Sequence, residues 1–240
     1  MNAQLAFQSV ARSHVGLVRQ INEDTFIARD RGLWAVADGV GGQAAGEVAS
    51  GIIVHCLDGV RLDPADRDLE ADVRRSLQEA HQEILRRNLE SEGNSEMAST
   101  VAVLCMEEAR FFCLWAGDSR IYRLRQHELT QLTKDHRLVQ DMLDAGLIVE
   151  SEALSHPNRN VLTRAIGGDA AFQIDANAGD LCAGDSFLLA TDGVTEVCKD
   201  SDILTTLDNF DLAVSADALV ELCLSRGGPD NLTFVIVRVM

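Results

Sequence analysis

The stretch Leu33-Trp34-Ala35-Val36-Ala37-Asp38-Gly39 is a short apolar run that ends in an aspartate and a glycine. Apolar runs of four to eight residues bounded by turn residues are typical of buried β-strands. An aspartate at the end of such a strand lies at the rim of the core, where the strand holds it rigidly. The stretch therefore predicts both a strand of a central sheet and a fixed carboxylate.

Three more aspartates occupy the same kind of local position. Asp118 and Asp192 each follow an apolar run, and Asp230 lies in a turn just before one. Together with Asp38 they would form an all-oxygen pocket, which suits hard divalent cations such as Mg²⁺ and Mn²⁺. The four aspartates predict a metal-dependent hydrolase.

The composition limits the classes of protein. At 240 residues and 46% hydrophobic, the chain can form a substantial core, and its net charge of −17 argues against nucleic-acid binding because phosphate backbones would be repelled. The six cysteines show neither a CxxC pair nor zinc spacing, which is typical of a reducing compartment. No apolar segment resembles a signal peptide or a membrane span, and no partner helix is evident. We therefore expect a soluble, cytoplasmic monomer that does not contact membranes.

The order of the predicted elements indicates the fold class. Strands are predicted at residues 33–38, 100–106, 111–116, 120–124, 186–191 and 233–239. Three helices are predicted. The first covers residues 43–58 and the last lies near residues 215–225. The second is capped by Asp63, has Pro64 in its first turn and runs to about residue 89. Because strands do not alternate singly with helices, stacked antiparallel sheets covered by helices are favoured over a doubly wound parallel sheet. We expect an α+β fold.

No linker or repeat divides the chain, so residues 1–240 are expected to form a single domain. Residues 135–170 differ from the rest because they are polar and poorly periodic. We expect a short helix there and an excursion over one edge of the fold. Loops of this length are usually functional or disordered.

The glycine-rich segment after Asp38 has two interpretations. Gly39, Gly41 and Ala44 satisfy the G-x-G-x-x-A pattern of dinucleotide-binding folds. Alternatively, Asp38 bridges two metal ions and Gly39 offers its carbonyl oxygen. We favour the second interpretation, because only it accounts for the other three aspartates.

A second constellation comprises Arg19, Glu23 and Asp24. These residues could form an exposed charge cluster. Beside a metal pair, Arg19 could instead bind two phosphate oxygens with its guanidinium fork, and Glu23 or Asp24 could hold water on the metals.

Several nucleophile motifs are missing from the sequence. No cysteine is followed six residues later by an arginine, and neither G-x-S-x-G nor H-E-x-x-H occurs. Among the histidines, only His136 is a candidate for a direct role. Water activated by metal ions therefore remains as the expected nucleophile.

Eight segments in order carry a family resemblance. They are Arg19 with Asn22-Glu23-Asp24-Thr25-Phe26, Asp38-Gly39-Val40-Gly41-Gly42, Gly46-Glu47-Val48-Ala49-Ser50, Gly117-Asp118-Ser119-Arg120, Leu132-Thr133-Lys134-Asp135-His136, Thr163-Arg164-Ala165-Ile166-Gly167, Thr191-Asp192-Gly193-Val194-Thr195-Glu196 and Gly228-Pro229-Asp230-Asn231-Leu232-Thr233. In this order and spacing the chain resembles the metal-dependent protein serine/threonine phosphatases of type 2C, in their compact bacterial form.

The resemblance implies a four-layer α-β-β-α sandwich with a binuclear Mn²⁺ or Mg²⁺ centre at one end. By motif position, the resemblance implies that Asp38 bridges the two ions and that the Gly39 carbonyl, Asp192 and Asp230 complete the direct ligands. Glu23 would act through water, Asp118 would join Asp192 at a third, weaker ion, and Asp24 and Asn231 would support the ligands. Arg19 would bind phosphate, and residues 135–170 would form a flap. Two family histidines are replaced, by Val40 and Gln43. Water at the centre is therefore the expected proton source for the leaving group.

The implied function is hydrolysis of phosphoserine and phosphothreonine in proteins, opposing a bacterial Ser/Thr kinase. The expected partners are phosphorylated proteins, including such a kinase and its substrates. Two alternatives stay open: a catalytically weak regulator that only binds phosphoproteins, and a sporulation-type phosphatase that acts on an anti-anti-sigma factor.

Overall fold

The computed structural model describes residues 6–41, 45–62, 68–91 and 96–240. In this part of the chain the strands are β1 (Phe7–His14), β2 (Asp24–Arg29), β3 (Leu33–Val40), β4 (Ala98–Ser99), β5 (Val101–Glu107), β6 (Arg110–Ala116), β7 (Arg120–Arg125), β8 (Glu128–Gln131), β9 (Asp175–Asp180), β10 (Ser186–Ala190) and β11 (Leu232–Val239). The helices are α1 (Ala45–Asp58), α2 (Leu69–Glu90), α3 (Leu138–Asp144), α4 (Glu150–Ala153), α5 (Asp192–Thr195), α6 (Asp200–Asp208) and α7 (Leu212–Ser225).

Two antiparallel sheets form the centre of the molecule. The first has the order β1-β11-β10-β7-β8, and the second has the order β2-β3-β5-β6-β9, with β4 paired to β3. Helices α1 and α2 pack on the outer face of the second sheet, and α6 and α7 pack on the outer face of the first. The expected α-β-β-α sandwich is confirmed.

Strand β3 shows why the central strands are continuously apolar. Leu33 and Ala35 face the layer of α1 and α2, whereas Trp34 and Val36 face the opposite sheet. Successive side chains of a strand point to opposite faces, so a strand covered on both faces needs apolar residues at every position. Where this burial ends, at the edge of the core, the first carboxylate of β3 is Asp38.

All six strands expected from the sequence are present, but several others were missed. β1 and β9 are strands at the edges of the two sheets, and many of their residues are partly or fully exposed. Their sequences, FQSVARSH and DANAGD, therefore lack a continuous apolar run. Such strands are paired by their neighbours and carry little apolar signal of their own.

The start of helix α2 is defined by Asp68. α2 begins at Leu69, where the Asp68 carboxylate accepts a hydrogen bond from the Ala71 N–H. The cap and first turn expected at Asp63 and Pro64 lie outside the described residues, as do the first two residues of the helix expected at 43–58.

The segment 135–170 contains two short helices, α3 and α4, rather than the single one expected. We call this segment the flap. The bridge Ser99–Ile166 ties it to the sandwich, and the bridge Arg137–Leu162 joins its two arms to each other. None of the helices in the described ranges is long and apolar enough to cross a membrane.

Candidate active site

A pocket of about 240 Å³ lies at one end of the two sheets. It is lined by Arg19, Glu23, Asp38, Gly39, Val40, Gly41, Thr100, Asp118, Asn160, Leu162, Asp192, Asp230 and Asn231. The site residues expected from the family resemblance all line this pocket except Asp24, which is buried beside it.

Strand direction brings the aspartates to the same end. Asp38 lies near the end of β3, and Asp192 follows β10. Asp230 precedes β11, which is antiparallel to β10, so the start of β11 lies beside the end of β10. Asp118 lies in the connection between β6 and β7. The four carboxylates are thus placed by both sheets, not by a single loop.

Asp24 links the two sheets behind the pocket. It lies directly opposite Asp38 in the β2–β3 pairing. Its carboxylate accepts a hydrogen bond from the Thr191 hydroxyl, 2.8 Å away, and Thr191 immediately precedes Asp192. Asp24 therefore holds the strand end of one sheet against that of the other.

Asn231 fixes the loop that carries Arg19 and Glu23. Its side-chain amide donates to the carbonyls of Val15 and Ile21, and its side-chain oxygen accepts from the Glu23 N–H, all within 2.9 Å. One side chain at the start of β11 thus positions a loop more than two hundred residues earlier in the chain.

Glycine is required where α1 approaches the end of β3. A Cβ on Gly39 would lie 2.0 Å from the Gly46 carbonyl oxygen, which only the absence of a side chain allows. The close approach brings the Gly46 N–H to the Glu23 carboxylate at 3.2 Å. A carboxylate at a helix N-terminus is stabilised by the unpaired N–H groups there.

The carboxylates disfavour one another's ionisation. Burial, with repulsion from Asp24 and Asp192, raises the pKa of Asp38 well above its ordinary value. Burial and the charge of Asp118 raise the pKa of Asp192 to about 8. Burial also raises the pKa of Asp24 to about 7, against the hydrogen bond from Thr191. Oxygen donors whose charges repel in this way fit divalent cations, which would offset the repulsion.

Two arginines contact these carboxylates. Arg19, whose side chain is 54% exposed at the pocket rim, donates to Asp230 at 2.7 Å, and this hydrogen bond raises the pKa of Arg19. Arg137 is buried and donates to Asp118. Within residues 6–41, 45–62, 68–91 and 96–240, no group of three or more Asp, Glu, His or Cys side chains has the convergent geometry of a formed metal site. The pocket therefore has the donor chemistry for metal ions, with arginines as its present counter-charges.

Sequence reasoning missed Arg137 and Thr100. The Thr100 hydroxyl accepts from the Asp38 N–H at 3.2 Å and shares a hydrogen bond with Ser119, so it orients the end of β3. Arg137 directly follows the segment Leu132-Thr133-Lys134-Asp135-His136, and a cation beside a quoted motif was the available signal.

His136 does not line the pocket. Its Nδ1 accepts from the Gly117 N–H at 3.1 Å, and its Nε2 lies 3.2 Å from an Asp175 carboxylate oxygen. The ring also stacks on Trp115. These contacts tie the first residues of the flap to the sandwich, which is a structural role.

A family model described as protein phosphatase 2C matches residues 12–225. The chain belongs to the protein phosphatase 2C family. Serine/threonine protein phosphatase PstP from Mycobacterium tuberculosis is 39% identical over 237 residues, which are 98% of this chain and 46% of PstP. The chain thus spans about half the length of that relative.

Two further comparisons cover nearly the whole length of both chains compared. Serine/threonine phosphatase stp from Listeria monocytogenes is 32% identical, over 95% of this chain and 94% of stp. A solved structure of the catalytic domain of PstP in complex with two manganese ions has a TM-score of 0.89 and 37% identity, and covers 98% of this chain and 99% of that one. The sandwich is therefore that of the protein phosphatase 2C family.

Proposed function

We propose that the chain hydrolyses phosphoserine and phosphothreonine in proteins at a centre of two Mn²⁺ or Mg²⁺ ions. Family membership supports the proposal, as does the PstP catalytic domain with its two manganese ions. The observation that carries it is that Asp38, Asp192 and Asp230 line one pocket, with Arg19 at its rim.

Each residue has a proposed role at this centre. Asp38, the Gly39 carbonyl, Asp192 and Asp230 would hold the two ions directly, with Asp38 shared between them. Glu23 would hold them through water, and Asp24 and Asn231 would keep the ligands in place. When bound, the ions supply the Lewis acidity that activates a water molecule near neutral pH.

Arg19 is the proposed phosphate-binding group. Its guanidinium lies at the rim and donates to Asp230. A phosphoryl group that enters the pocket would therefore meet the guanidinium beside the proposed metal ligands. Two parallel N–H···O bonds to phosphoryl oxygens would offset the charge that develops during transfer. Val40 lines the pocket without a titratable group, so water at the centre remains the proposed proton source for the leaving oxygen.

The function requires phosphorylated proteins as partners, and we propose that a bacterial Ser/Thr kinase and its substrates are among them. The net charge of −17 argues against nucleic acid as a partner. We propose a cytoplasmic location, supported by the cysteine pattern, and a monomer. A single catalytic domain is supported by β1 and β11, the first and last described strands, which pair with each other.

The test is hydrolysis of phosphothreonine and phosphoserine peptides with Mn²⁺, with EDTA, and after Mn²⁺ is restored. A phosphotyrosine peptide serves as the comparison substrate. We expect turnover of the first two peptides only with Mn²⁺, and recovery after chelation. Turnover that persists in EDTA would contradict the proposal.

Two other outcomes correspond to the alternative functions. Mn²⁺ binding without turnover of any phosphopeptide would indicate a phosphoprotein-binding regulator. Activity on a phosphorylated anti-anti-sigma domain, but not on an autophosphorylated Ser/Thr kinase, would indicate the sporulation-type enzyme.

A further inference from the structure

Arg137 forms a three-way contact inside the pocket wall. Its Nε donates to Asp118 at 2.5 Å, its Nη1 donates to Glu196 at 2.5 Å, and its Nη2 lies 3.4 Å from Asp192. The Arg137 side chain is only 10% exposed, and that of Asp118 only 6%. The guanidinium thus lies between three carboxylates, two of which line the pocket.

The backbone of Arg137 is fixed on both sides. The His136 N–H donates to the Gly117 carbonyl, and Gly117 is the residue before Asp118. On the other side Arg137 pairs with Leu162, which lines the pocket. The side chain therefore starts from a backbone fastened both to the strand connection that carries Asp118 and to the far arm of the flap.

Arg137 places a positive charge among the carboxylates of Asp118, Asp192 and Glu196. Asp118 is buried and the Asp192 side chain is 24% exposed, so the negative charge of each is costly unless a counter-charge lies nearby. A guanidinium with three charge-assisted hydrogen bonds supplies that counter-charge. A divalent ion bound by both Asp118 and Asp192 would stand within a few ångströms of this permanent positive charge, so Coulomb repulsion from the guanidinium disfavours a third ion here.

We propose that Arg137 takes the place of a third metal ion: its guanidinium is the resident counter-charge of Asp118 and Asp192, and the centre holds two ions only. This inference rests on the proposed function, since it presupposes the two-ion centre. It replaces the expectation that Asp118 and Asp192 bind a third ion. Asp118 becomes the residue that holds Arg137, and Arg137 positions Asp192 toward the two-ion centre.

The test is the number of Mn²⁺ ions bound per chain, measured by equilibrium dialysis with electron paramagnetic resonance of free Mn²⁺. We expect two ions in the wild-type protein, with no further class of site up to millimolar Mn²⁺. In Arg137→Ala, removal of the guanidinium should create a third, weaker site. The double variant Arg137→Ala with Asp118→Asn should lose that site again.

Two single variants test the inference without depending on Arg137→Ala. Arg137→Lys keeps a positive charge and should still bind two ions. Asp118→Asn in the wild-type background should also leave the count at two, because no ion uses Asp118. Circular dichroism of each variant verifies that it folds.

The outcomes separate this inference from the proposed function. Three ions in the wild-type protein, falling to two in Asp118→Asn, would overturn the role of Arg137 and leave the phosphatase proposal intact. An unchanged count of two in a folded Arg137→Ala would also overturn it. No Mn²⁺ binding by the wild-type protein would overturn the proposed function and this inference with it.

Discussion

At the scale of single residues, aspartates in the pocket lie close to arginines of opposite charge. Burial and the charges of Asp118 and Asp192 raise the pKa of Asp38, and Arg19 and Arg137 bring compensating positive charge from two different segments. The two arginines differ in exposure, since Arg19 is half exposed at the rim and Arg137 is buried in the wall. Only Arg19 is accessible to a substrate.

Arg19→Lys should lower kcat/KM for a phosphothreonine peptide by about 10- to 100-fold, since a charged hydrogen bond is worth roughly 1.5–3 kcal/mol. Lysine keeps the charge but loses the planar fork. Steady-state kinetics measures the change, with Mn²⁺ binding as a second readout that should stay near wild type. Arg31→Lys, at another exposed arginine, is the matched control. Equal kinetics in the two variants would contradict the role of Arg19.

Among the elements, the central strands could be read from the sequence and the edge strands could not. β3, β5 and β10 are buried on both faces and therefore apolar along most of their length, whereas β9 is a mostly exposed edge strand of sequence DANAGD. Pairing with β6 makes β9 a strand, and that information lies in a distant part of the chain.

The residues of the candidate site likewise divide into those that could be predicted from the sequence and those that could not. The aspartates could be located because each terminates or precedes a central strand. The position of Arg137 beside a family motif was visible in the sequence, but its role was not, because its contacts with Asp192 and Glu196 span more than fifty residues and depend on how the flap folds back. The roles of Asn231 and Thr100 likewise emerge only from the way loops and strand ends meet.

Helix α5 packs closely against the backbone at Asn231, so replacing Gly193 in this helix should change the stability of the protein. A Cβ on Gly193 would lie 1.8 Å from the Asn231 carbonyl oxygen, whereas a Cβ on Gly51 in α1 would meet nothing within 4 Å. Gly193→Ala should lower the free energy of unfolding by about 1–3 kcal/mol through overpacking. Gly51→Ala should leave it unchanged or raise it by up to about 1 kcal/mol, because alanine favours helix. Urea denaturation of both variants measures the difference, and equal stability would contradict the packing described for α5.

At the scale of the whole molecule, the two sheets confine several acids in one place, and folding therefore depends on pH. The pKa of Asp24 is raised to about 7 and that of Asp192 to about 8, from an ordinary value of 3.8. Between the ordinary pKa of 3.8 and these raised pKa values, the folded state binds more protons than the unfolded state. Stability from these groups is complete below about pH 4 and is lost as the pH rises toward 8.

The metal-free protein in EDTA should therefore have a lower melting temperature at about pH 8 than at about pH 5.5. Saturating Mn²⁺ should remove most of this loss, because an ion that binds only the folded state stabilises it, by about 2.7 kcal/mol at a hundred times its Kd. Scanning calorimetry at the two pH values, with and without Mn²⁺, measures both effects. A metal-free protein that is more stable at the higher pH would contradict the raised pKa values.

The most direct test of the central claim is the turnover of a phosphothreonine peptide with Mn²⁺ by the Asp192→Asn variant. Replacing a direct ligand should cost more than the roughly 10- to 100-fold that is typical for residues behind the ligands. We therefore predict a fall in kcat/KM of at least about 100-fold, while Asp200→Asn, at an exposed aspartate of the neighbouring helix α6, stays near wild type. Wild-type turnover by a folded Asp192→Asn variant would mean that the aspartates at the strand ends do not form the catalytic centre.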